Sequence, residues 1–275
     1  MNAAQRRVGH GKADSVSGHG SGRGQYAVWT ASDKSKRHSL GKGALTAGSA
    51  ILILILAIST AFVGNGPNIG DFLERQYLSR EAKLAILSDH IQQTLDGQSI
   101  LVIAEETEVI EPRCDFNKLN AEFAERIGAS AFYEFPKLTF ASEEEAMMAE
   151  EDFRTANQYN EILKTYPQVD VVVVLNHLPM DYQMLDIWDV KRWNRKYHRL
   201  PPKLILAEHP IYDMRRPIKA GMIVAATPDS PTAIYDYKKP LPKDIQERFD
   251  QQYLLVTPDN VDSMTKEYPG LFMEE

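Results

Sequence analysis

With a single cysteine, Cys114, in 275 residues, the chain can form no internal disulfide and offers no cysteine pair to zinc. It also lacks a glycine-rich phosphate loop after an apolar strand. The first such strand runs into EETEVIEP at residues 105–112, where acidic side chains would repel a phosphate. GSGRG and GKG occur only near the N-terminus, with no strand before them. No HExxH spacing pairs the histidines, and no Ser or Cys sits in a nucleophile elbow, so zinc-hydrolase and acyl-transfer motifs are missing. Positive charge is short as well. Lys and Arg total 31 against 38 Asp and Glu, a net charge of −7, which disfavours a nucleic-acid partner. The acidic stretch SEEEAMMAEED at 142–152 lacks the spaced Asp/Asn/Gly loop of a calcium site and reads as a solvated helix face. No cofactor is expected.

What the chain has in one place is apolar length. Residues 44–63 carry no charge and centre on ILILILAI. As a helix rising about 1.5 Å per residue they span roughly the 30 Å hydrocarbon layer. Lys42 precedes the run and GNGP at 64–67 follows it, so a transmembrane signal-anchor helix over 44–63 is predicted, with the lipid bilayer as its partner. The rival is a cleaved signal peptide, with Ser59 and Ala61 as the small residues before the cut. The 43-residue tail is too long for an ordinary n-region. Eight Lys and Arg against two Asp give residues 1–43 a charge of +6, leaving −13 beyond the run. Positive flanks stay on the cytoplasmic side. Residues 1–43 are therefore predicted to be a basic, disordered cytoplasmic tail, and residues 64–275 to be extracytoplasmic.

Residues 64–98 read as a linker and juxtamembrane helix. Leu84, Leu87, Ile91 and Leu95 recur at three- and four-residue steps, and Gly97 is placed to end the helix. The stripe either packs on the domain that follows or pairs the 71–95 helix with a protein partner or second copy. Too few heptads favour packing. Over 99–275, strands are predicted at 99–104, 131–135, 169–175, 203–209, 221–227 and 253–257. Helices are predicted at 116–128, from a Ser142/Glu145 capping box to about 166, and at 181–197. The unbroken VDVVVVL at 169–175 implies a strand buried on both faces, the mark of a parallel sheet. The expected fold class is α/β: a single N-terminal transmembrane helix, then one doubly wound, Rossmann-like, mainly parallel sheet. The C-terminal part is expected to be less regular. Pro210 and Pro217 crowd one crossover, and Pro228, Pro231, Pro240 and Pro242 mark an excursion with AIYDY, 233–237, as an extra strand. This alternation resembles that of periplasmic solute-binding domains over one lobe's worth of pattern, and carries no motif.

Ligands of open α/β sheets bind beyond the carboxyl ends of the strands. Here those ends read Glu105–Glu106, NHLPMD at 176–181, EHP at 208–210, TPDSP at 227–231 and TPDN at 257–260. Proline stops strands and Asp or Asn favours turns, which explains the pattern without any chemistry. The functional candidates are His177 and His209 at two strand ends, with Glu208 and Asp181 beside them. Imidazoles and carboxylates could hold a divalent ion or act as acid and base. No spacing motif links the pair, and no metal is expected. The favoured function is a membrane-anchored extracytoplasmic binding or assembly module. The alternative is an anchored hydrolase using His177 and His209.

Overall fold

The 26-residue helix α1 (Ile69–Thr94) is the first element of the computed structural model, which describes residues 69–137, 154–233 and 239–273. The apolar run at 44–63, the tail, the Ser142/Glu145 pattern and most of AIYDY lie outside the described residues. No helix among the described residues is long and apolar enough to cross a membrane.

Five parallel strands make one sheet: β1 (Ile100–Glu105), β2 (Ala131–Phe135), β3 (Val171–Val174), β4 (Lys203–Leu206) and β5 (Ile223–Ala226). Their order is β2-β1-β3-β4-β5. The helices that follow α1 are α2 (Phe116–Arg126), α3 (Ala156–Thr165), α4 (Val190–Tyr197), α5 (Arg215–Lys219), α6 (Ile245–Asp250) and α7 (Val261–Glu267). Side chains alternate along a strand, so a strand that is apolar at every position needs cover on both sides. β3 has it. Val172 and Val174 pack with Tyr159 of α3, Trp193 of α4 and Ile218 of α5, while Val171, Val173 and Leu175 pack with Leu84, Leu87 and Ile91 of α1 and Phe123 of α2. The α1 stripe thus covers the sheet of its own chain, and its apolar face is not available for a coiled coil. The helix stops where predicted, with Gly97 in the left-handed region at φ +75°.

Three elements differ from expectation. The helix expected to run from 142 to 166 is not continuous: Thr155 is extended (φ −86°, ψ 156°) and caps α3, in a reciprocal capping box with Gln158. The helix expected at 181–197 is two 3-10 turns, Tyr182–Met184 and Asp186–Trp188, followed by α4. Leu185 at ψ 130° interrupts the first part, and Asp189 starts α4 by accepting from the Arg192 amide. The strand expected at 253–257 is only a pair of isolated antiparallel bridges, Ala226 to Val256 and Asp229 to Tyr253. Pro228 lies between the two bridged residues and has no N–H to donate, so no continuous ladder forms there.

Candidate functional site

In this strand order the chain reverses direction of winding between β1 and β3, and open α/β sheets bind ligands in the crevice at such a point, outside the carboxyl ends. The exits of β3, β4 and β5 lie side by side. They supply Asn176 and His177, then Glu208 and His209, then Asp229. Thr227 ties two exits together, its hydroxyl donating to Ala207 O at 3.0 Å.

Glu208 faces α1. Its carboxylate accepts from Lys83 Nζ at 2.9 Å and lies 3.5 Å from Arg80 Nη1. Lys83 is 3 % exposed in its side chain and sits 4.0 Å above the Tyr253 ring, while Arg80 also donates to Leu175 O at 2.9 Å and to Asn120 Oδ1 at 3.2 Å. Burial pushes the Glu208 carboxyl up, but the pull of Lys83 and Arg80 overcomes it and holds the group below its ordinary range. Glu208 is therefore an ionised tether between helix and sheet.

His209 Nδ1 accepts from the Leu178 amide at 3.3 Å, so the ring is neutral with its proton on Nε2. Its ring lies edge-on to His177, centroids 6.3 Å apart, and to Tyr182 at 5.8 Å. Burial, and then the neighbouring His177, push its pKa down to about 4. His177 is lowered too, by burial first, although one side of it remains exposed. Its backbone carbonyl accepts from Tyr159 Oη at 3.0 Å. Asp181 is turned away from the pair and accepts from the Ala156 amide at 2.7 Å, at the start of α3. The two histidines and Glu208 are thus brought together, and Asp181 is not.

Two imidazole nitrogens on one ion must approach within about 3.5 Å, which centroids 6.3 Å apart do not permit even with the nitrogens face to face. Among the described residues no group of three or more His, Cys, Asp or Glu could hold a metal ion. Cys114 is buried and unpaired. A surface depression of about 550 Å³, lined by Gln183, Leu185, Trp188, Arg192 and their neighbours, includes none of the four candidates.

Residue-type reasoning missed Arg80, Lys83, Asn176 and Asp229. Asn176 Oδ1 is buried with no hydrogen-bond partner among the described residues. Asp229 keeps an exposed side, yet crowding by surrounding protein raises its carboxyl pKa against the opposing pull of Lys83. Both stand at strand exits, a positional signal available in the sequence. Arg80 and Lys83 carried no such signal, because a helix cation looks solvated until its neighbour is known.

No protein-family model matches the chain, and neither does any curated protein sequence. Solved structures that overlap it include an arabinose-binding protein from Geobacillus stearothermophilus, at 15 % identity and TM-score 0.37, covering 67 % of this chain and 62 % of that one. A periplasmic ribose ABC transporter protein from Conexibacter woesei overlaps at 10 % identity and TM-score 0.38, covering 69 % of this chain and 60 % of the other. A Caulobacter myo-inositol binding protein overlaps at 16 % identity and TM-score 0.33, covering 67 % and 60 %. The chain spans about three fifths of the length of each. The strand order given above rests on this chain's own hydrogen-bonded ladder.

Proposed function

We propose that the chain is a membrane-anchored binding module, held outside the bilayer by residues 44–63, with its ligand site at the carboxyl ends of β1, β3, β4 and β5. One observation carries the choice of binding over catalysis. Of the four candidate groups, three are already committed to the fold: Glu208 to Lys83, His209 Nδ1 to the Leu178 amide, and Asp181 to the Ala156 amide. Bound in this way the neutral His209 ring has no lone pair left for a substrate proton, while the two carboxylates keep lone pairs but are held in place by their contacts to the fold. The groups left are the His177 ring and the Asp229 carboxylate, each with an exposed side, and the Asn176 side-chain oxygen, buried and without a partner among the described residues. All three can accept a hydrogen bond, and the fit is a small ligand rich in hydroxyl donors. The hydrolase reading would need His209 to give up its partner.

A thermal-shift panel of monosaccharides and cyclic polyols against the detergent-solubilised chain tests this. At least one such ligand is expected to raise Tm, with Asp229→Ala abolishing the rise. Turnover of an ester or phosphoester substrate that is lost in a His177→Ala, His209→Ala double variant would instead establish the hydrolase. The anchor is tested separately. The chain should resist alkali extraction, and a reporter active only in the cytoplasm should be silent when fused after Glu275.

A further inference from the structure

We propose that His209 is an acid-sensitive latch between the exits of β3 and β4, holding one wall of the proposed crevice in place at neutral pH and releasing it on acidification. The proposal rests on the binding reading only for its consequence, ligand retention; the latch itself is a property of the wall.

The exit from β3 is a non-helical stretch that must be pinned by side chains. His209 holds Leu178, whose side chain is buried in the core, through its amide. Tyr182 donates its hydroxyl to Asp213, on the β4 exit beyond His209. Further ties of this stretch run to α3, through Tyr159, Asn160 and the Ala156 amide. The His209–Leu178 bond differs from the rest in its donor logic. An imidazole accepts at Nδ1 only while neutral. Once protonated, its Nδ1–H meets the Leu178 N–H donor to donor, and the bond becomes a repulsion. The cation would also stand beside two rings, His177 and Tyr182, neither of which carries a negative charge. The groups facing His209 are His177 from the β3 exit, Tyr182 from the 3-10 turn, and Asp213 from its own exit, with Glu208 its chain neighbour already engaged by Lys83. Of these only Asp213 favours the charged ring, and it is outweighed by burial and by His177.

The released wall takes up a proton that the closed wall refuses. With the ring at an ordinary 6.5 when released and about 4 when latched, opening becomes more favourable as pH falls from 6.5 toward 4 and levels off below that. Between pH 7 and pH 5 the opening constant rises about twenty-fold.

Hydrogen exchange of the full chain in detergent, at pH 7.0 and pH 5.0 and corrected for intrinsic exchange chemistry, reads this directly in the peptide covering 176–186. The wild-type peptide is expected to lose about twenty-fold in protection at the lower pH, while His209→Asn, whose amide oxygen can accept but cannot titrate, shows equal protection at both. Equal protection in the wild type, or the same loss in His209→Asn, would overturn the latch. Since no ligand enters the measurement, a failed ligand panel leaves it standing, and a failed latch leaves the binding reading to be decided by the panel.

Discussion

The half of the domain from α1 to β3 is built differently from the half from β4 to α7. In the first, helices of 26, 11 and 10 residues cover strands whose side chains are almost wholly apolar, and α2 and α3 each begin on a side-chain cap, Asp115 and Thr155. In the second, α5, α6 and α7 have five, six and seven residues, and α5 and α7 begin without a side-chain cap bond. Polar ties make up the difference there. Arg248, 6 % exposed, donates to Leu78 O at 3.0 Å and to Glu81 at 3.1 Å, and Asp262 joins α7 to Arg215 and Lys219 of α5. Periodic apolar packing gives the first half a stability that resists local change. The second half depends on individual polar contacts, and it borders the candidate crevice.

The comparison is broken most severely by Val173→Asp. Val173 is fully buried in the central strand of the regular half, and an unpaired charge there should cost several kcal/mol and unfold the domain, read as loss of the cooperative thermal transition. Acid comes next. His209 has its folded pKa depressed to about 4 from 6.5, so its contribution is complete above pH 6.5 and is lost as pH falls toward 4. Denaturant melts should show about 2–3 kcal/mol more stability lost between pH 7 and pH 4 in the wild type than in His209→Asn. Arg248→Ala should cost about 2 kcal/mol, and hydrogen exchange should report it mainly in α6, leaving β1 and β3 protected. Thr155→Ala, at the other extreme, removes one cap from the regular half and should cost about 1 kcal/mol with no change in exchange around β4 and β5.

The same contrast explains what was legible in the sequence. Val169 to Leu175 announced a strand buried on both faces because that signal is local: every residue but Asp170 is apolar, and all of those but Leu175 are β-branched. The α1 stripe was legible for the same reason. Residues 181–197 misled because Leu185, Trp188 and Trp193 mimic helical spacing, while an extended Leu185 splits the stretch into 3-10 turns. Residues 253–257 have a strand's composition but meet the end of β5 and its exit only at two bridges on either side of Pro228. At the candidate site, His177 and His209 could be paired in advance since each follows its own strand. Arg80 and Lys83 could not. Their role depends on α1 crossing the ends of β3 and β4, a tertiary fact with no local trace.

The central claim is that the would-be catalytic groups at the strand ends serve the fold. Thermal unfolding of Glu208→Ala tests it most directly. The substitution takes from buried Lys83 its carboxylate partner, leaving the Tyr253 ring and the longer-range attraction of Asp229, and weakens the hold of Arg80 on the sheet. Removing one partner of a buried pair costs about 3 kcal/mol, so Tm should fall by roughly 10 °C. A Tm that stays level or rises, as it often does when a strained functional group is removed, would contradict the account and return Glu208 to the list of catalytic residues.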